Sequence, residues 1–156
     1  MSSPTPTTAP TPDDAAAPAP PPPSGPVRLR EVGSGVIRFA VPGTDYRIEA
    51  APGRSVPPSA KAGQRLDGAL HATARKVWPV PAGGRFVEPC FGRPRRLQGL
   101  VVGVDETANA LHVDAGGLKV VATLGHAGQK ATDFPLQGLV TFSVDDHTVF
   151  ETSAAR

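Results

Sequence analysis

From Val27 onward, apolar side chains recur at every second position in short runs, and each run is cut off by glycine or proline. A period of two is the repeat of an extended strand, whose successive side chains point to opposite faces, so the folded part of this chain reads as β-structure. Ile37, Phe39 and Val41 share one face against Arg38, Pro42-Gly43-Thr44-Asp45 supplies a turn, and Tyr46, Ile48 and Ala50 then alternate against Arg47 and Glu49. That pattern predicts a hairpin. Residues 51–63 hold three prolines and two glycines and predict a loop across the surface.

The longest uninterrupted run is Gln64 to Trp78. Its Ala-rich centre suits a helix by propensity, but Leu66, Leu70 and Val77 make too narrow an apolar stripe at helical spacing. Alternation of Leu66, Gly68, Leu70, Ala72 and Ala74 against Asp67, Ala69, His71, Thr73 and Arg75 favours a strand. A turn at 79–84, a short strand at 85–88 and an irregular link at 89–94 follow. In the second half, strands at 97–104, 110–115 and 118–123 form a meander, joined by residues 105–109 and by the Gly116-Gly117 turn. After a loop at 125–138, Val140, Phe142 and Val144 alternate with polar Thr141 and Ser143. Asp145-Asp146-His147 is then expected to turn the chain back as a hairpin through Val149 to Glu151.

About ten short strands without helical spacers predict an all-β fold, a small antiparallel β-barrel over residues 27–152 with an N-terminal β-hairpin extension. Over residues 95–151, the order of a three-strand meander, a longer connection and a hairpin resembles the OB-fold, a five-stranded barrel whose corresponding connection often holds a helix. The resemblance implies a fold and carries no functional residue. Whether residues 27–94 and 95–151 make one barrel or two small ones is left open by the spacing.

Ten of the 19 prolines fall in residues 1–26, a stretch without lysine, arginine, aromatic residue, isoleucine or leucine. Such a composition cannot bury enough apolar surface to offset chain ordering, so a disordered, proline-rich tail with local polyproline II is expected. Pro20 and Pro23 fit the loose PxxP spacing of SH3 and WW ligands, but that spacing arises in almost any proline tract and a solubilising extension is the better reading. The N-terminus lacks the basic and apolar regions of a secretory signal, no window is long and apolar enough to span a membrane, and the single cysteine, Cys90, excludes an internal disulfide. A cytoplasmic location is the expectation.

The formal charge of +2 conceals an uneven distribution. Residues 27–96 carry 13 Lys/Arg against five Asp/Glu, a net of +8, while residues 97–156 carry three against seven, a net of −4. A regional basic surface of this kind attracts nucleic acid, another polyanion or an acidic protein partner. Within it, Lys76, Trp78, Arg85, Phe86, Phe91, Arg93, Arg95 and Arg96 interleave basic and aromatic groups, and Arg75 extends the run. Aromatic faces stack on bases and guanidinium groups hold phosphates, which makes Arg75, Lys76, Trp78, Arg85, Phe91, Arg93, Arg95 and Arg96 the candidate anion-binding set. The same residues could equally serve as core aromatics and as charged strand edges that discourage aggregation.

A second pattern joins Arg93, Arg95 and Arg96 to His112-Val113-Asp114-Ala115-Gly116-Gly117. It resembles a degenerate PilZ site for cyclic dinucleotides, in which an arginine motif precedes an Asp/Asn-x-Ser-x-x-Gly turn. The resemblance implies an arginine role for Arg93, Arg95 and Arg96 and a final-glycine role for Gly117. His112 stands where the acid or amide belongs and Asp114 where the serine belongs, and a carboxylate there repels phosphate.

Gly92-Arg93-Pro94 is similar to the core of AT-hook peptides. Cys90 with His71 or His126 lacks the local signature of a cysteine enzyme, the four histidines are scattered, and Asp145-Asp146-His147 suits a turn better than a cation. No metal, cofactor or catalytic motif emerges, so the expectation is a binding module and not an enzyme. The rival expectation is a self-assembling protein whose basic and acidic halves pair between copies.

Overall fold

The computed structural model describes residues 21–153. The predicted disordered tail therefore falls mostly outside the described residues, and its last two positions, Gly25 and Pro26, belong to the first strand. Strands β1 (Gly25–Gly33), β2 (Val36–Ala40) and β3 (Arg47–Pro52) form an antiparallel meander. Next comes β4 (Arg65–Val80), where the sequence offered both helix and strand; with its backbone groups taken up by neighbours on both edges, it is a strand of 16 residues. Two short strands, β5 (Phe86–Glu88) and β6 (Phe91–Gly92), lead to the meander β7 (Arg96–Asp105), β8 (Ala110–Ala115) and β9 (Leu118–Leu124). A 3-10 turn at Ala131–Asp133 precedes β10 (Leu139–Val144) and β11 (Val149–Thr152).

At ~3.3 Å per residue, β4 is about 50 Å long, enough to serve two partners on each edge. One edge takes β1 at Arg65–Gly68 and then β9, in parallel, at Leu70–Ala74. The other takes β11 at Gly68–His71 and then β10 from Ala74 to Val80. Two circuits of backbone pairing close around this shared strand. The first runs β1–β2–β3–β11–β4 and back to β1, the second β4–β10–β7–β8–β9 and back to β4. Parallel pairs, β3 with β11, β3 with β6 and β4 with β9, make the sheet mixed where an antiparallel one was expected.

Two expectations change with this topology. Residues 139–151 do not form a hairpin: β10 pairs with β4 and β7, whereas β11 pairs with β3 and β4, one after the other along the same edge of β4. The early hairpin β2–β3 is not an extension but part of the first circuit. Both circuits enclose one contiguous apolar cluster, with Leu29, Ile37, Phe39, Ile48 and Phe150 in the first and Leu97, Leu111, Leu118 and Phe142 in the second. Phe39 and Phe150 meet across the first circuit with ring centroids 4.8 Å apart, an arrangement that adds about 1 kcal/mol to simple burial. Among the described residues, no helix is long and apolar enough to cross a membrane.

Beyond the end of β9, the edge of β4 is covered by a side chain. Val77 donates its N–H to Gln129 Oε1 at 2.9 Å, and its carbonyl accepts from Gln129 Nε2 at 2.8 Å. The Gln129 carbonyl accepts in turn from Asn109 Nδ2, and Asn109 Oδ1 takes the Ala131 N–H at 2.7 Å, so the 125–138 loop is pinned to the sheet. Gln129→Ala leaves two partly buried backbone groups unpartnered and is expected to cost about 2 kcal/mol, read as a lower urea midpoint at unchanged m-value. A midpoint equal to that of the parent protein would show that water replaces the amide without loss.

Candidate nucleic-acid interface

Register decides which of the basic and aromatic residues meet. Phe142 pairs with Val77 but Val144 pairs with Ala74, so Arg75 and Lys76 together oppose the single residue Ser143. This is a β-bulge, and a bulge re-aims side chains by inserting one residue into the alternation. Ala72, Ala74 and Val77 point into the core, while Arg75, Lys76 and Trp78 are all exposed, Trp78 by 53%. Uninterrupted alternation from Ala74 would have buried Lys76 and Trp78 and exposed Val77.

On the neighbouring strands, Ser143 lies beside Arg96 and Thr141 lies between Trp78 and Gln98. Lys76 Nζ sits 4.1 Å from the centroid of the Trp78 ring, a cation–π contact, and Arg96 Nε donates to Thr141 Oγ1 at 3.4 Å. Arg75, Lys76, Trp78, Arg96, Thr141 and Ser143 border a shallow hollow of about 350 Å³ over β4, β10 and β7. Among the described residues, no ion pair involves Arg75, Lys76 or Arg96. Three cations without an ion-pair partner among the described residues thus border one hollow with the chain's one tryptophan.

The other candidate residues are placed elsewhere. Arg85 reaches Asp114, with Nη1 3.7 Å from Oδ2. Arg93 Nη2 lies 3.6 Å from Glu49, which also takes Arg38. Arg95 is exposed on the link into β7, its N–H donating to the Glu88 carbonyl at 2.8 Å. Phe91, 62% exposed, is on β6 beside Arg47 of β3, on the flank of the first circuit. Of eight residues close in sequence, four share one hollow.

The arginine and glycine-turn pattern is likewise divided. Gly116 and Gly117 adopt φ of +72° and +107° in the β8–β9 turn, and Asp114 Oδ1 accepts the Gly117 N–H at 2.8 Å. Asp114 Oδ2 holds Lys119 Nζ at 3.0 Å. Burial alone would raise the Asp114 carboxyl, but the Gly117 N–H, Lys119 and Arg85 outweigh it and hold the group below the usual carboxylate range. Asp114 is therefore committed to the turn, and the guanidinium that reaches it belongs to Arg85, not to Arg93, Arg95 or Arg96. His112 is buried at 4% exposure against Gly103, where an added Cβ would come within 2.9 Å of its ring.

Asp145 Oδ1 accepts the His147 N–H at 3.0 Å, the turn role expected of that segment. Cys90 is exposed between β5 and β6, and its carbonyl accepts the Arg47 N–H at 2.7 Å. Among the described residues, no three His, Cys, Asp or Glu side chains gather as a metal site. No family model, curated protein or solved structure matches this chain.

Proposed function

We propose that the β4–β10–β7 face binds single-stranded nucleic acid. The observation that carries this reading is the bulge at Arg75-Lys76, which turns two cations and the one tryptophan outward beside Arg96, with no carboxylate among the described residues paired to any of the three cations. Phosphates are held by the guanidinium and ammonium groups, and a base stacks on the indole, a combination that binds single strands with little sequence preference. The second circuit, entered by the β7–β9 meander and carrying its 3-10 turn in the connection before β10, is loosely compatible with the OB-fold, a scaffold used for oligonucleotides. It differs from the arrangement expected over residues 95–151, because β4 and not β11 completes the five.

Trp78 is the only indole, so its fluorescence reports directly on the face. Titration with an oligothymidylate at low salt is expected to quench it. Trp78→Ala should weaken binding, followed by anisotropy of a labelled oligonucleotide, about tenfold, since stacking is worth ~1–3 kcal/mol per base. An unquenched indole together with no anisotropy change at low salt would refute the reading.

A further inference from the structure

The pairing register continues the face beyond Trp78. Arg96 and Ser143 form one cross-strand row, Gln98, Thr141 and Trp78 the next, and Leu100, Leu139 and Val80 a third. Rows on one face of a strand are ~6.6 Å apart, so the third lies about 13 Å from the cations. Val80, Leu100 and Leu139 are half-buried there, and they floor a second hollow of about 590 Å³ whose rim carries Arg85, Gln137 and Gly83. This rim is preformed. Gln98 Nε2 donates to the Gly84 carbonyl at 2.7 Å, and Gly83, at φ +143°, sits so close that a Cβ would come within 2.9 Å of the same amide. The Arg85 side chain is 47% exposed despite its loose pairing with Asp114.

A cationic end, an exposed indole and a second hollow with an apolar floor and a cationic rim thus follow one another in a line. Stacked nucleotides advance about 3.4 Å along a strand and extended ones about twice that, so the line spans roughly three nucleotides. We propose that a single strand runs along this line, its phosphates at Arg75, Lys76 and Arg96, one base on Trp78, and the next base seated over Val80, Leu100 and Leu139 beside Arg85. This rests on the reading of the face as a single-strand site. An apolar floor accepts the flat face of a base, and the guanidinium at the rim meets either its carbonyl edge or the following phosphate.

The test compares thymidine 5′-monophosphate with tetrathymidylate, each followed by quenching of Trp78, on the full chain and on two variants at the second hollow, Arg85→Ala and Ala82→Phe. Ala82 is exposed at the rim, so the phenyl ring narrows the hollow without touching the core. The tetranucleotide should bind at least tenfold more tightly than the mononucleotide, and each variant should weaken the tetranucleotide about fivefold while leaving the mononucleotide unchanged. Equal affinity for the two lengths, or equal loss for both in the variants, would overturn the extended track while leaving the Trp78 face intact. Failure of the tetranucleotide to bind at low salt would instead overturn the single-strand reading itself, and the track with it.

Discussion

Replacing Arg75, Lys76 and Arg96 together by alanine is expected to lower the affinity for a single-stranded oligonucleotide by about 100-fold at low salt. The estimate takes ~1 kcal/mol for each cation, below the 1.5–3 kcal/mol of a hydrogen bond to a charged group because all three side chains are solvated. Salt dependence is the sharper readout. Each phosphate neutralised on a single strand contributes about −0.7 to the slope of log K against log salt, so the triple variant should flatten that slope by about 2. Stability should barely move, because the three residues are exposed and make no ion pair among the described residues, and a melting temperature within about 2 °C of the parent would confirm that the loss is one of binding. An unchanged slope would mean that these cations do not meet phosphate. Arg93→Ala serves as the control: its guanidinium faces Glu49, so its removal should change affinity less than twofold.

Gly68→Ala is expected to be strongly destabilising. Gly68 pairs with Gly25 of β1 on one edge and Thr152 of β11 on the other, at the point where the first circuit closes. A Cβ there would fall inside the Glu151 carbonyl oxygen, 2.6 Å from Phe150 Cζ and 2.9 Å from Thr152 Cα. Two of those three neighbours are backbone, so relief requires β11 to move and Phe150 to leave its contact with Phe39. The cost is on the order of 3 kcal/mol, or about 10 °C in melting temperature for a domain of this size. Gly35→Ala provides the contrast. Its φ is +75° but nothing lies within 4 Å, so only backbone strain of ~1 kcal/mol applies. Equal melting shifts for the two variants would show that the closure at Gly68 is not tightly packed.

Alternation revealed the strand class, the β2–β3 hairpin and the β7–β9 meander because each depends on neighbours in sequence. It did not reveal the fate of β11. A strand, a polar turn and another strand look like a hairpin, and only a partner as long as β4, with room on one edge for both β10 and β11, makes a different answer available. The site shows the same division. Trp78 read either as a stacking aromatic or as a core one, and the phase set by Leu70, Ala72 and Ala74, kept unbroken, would carry it inward. The phase break was nonetheless visible in Arg75-Lys76-Val77, since keeping step would bury an ammonium and expose a valine, and a bulge is the inexpensive remedy. Arg85 and Arg93 are close to Arg96 in sequence yet are held by Asp114 and Glu49, carboxylates 29 positions downstream and 44 upstream, which no local pattern discloses.

The shared β4 strand also sets the order in which this protein can be made. The first circuit is completed by β11, and roughly 100 residues separate β3 from that partner, so at ordinary ribosomal speeds of about 5–20 residues per second the edge of β3 facing away from β2 lacks its partner at Ala51 and Pro52 for about 5 to 20 s, while β6 can cover Arg47 and Ile48 sooner. An open edge of that duration invites pairing with a neighbouring chain on the same polysome. The charged residues Arg47 and Glu49, which alternate along β3, are well suited to guard that edge during those seconds of translation.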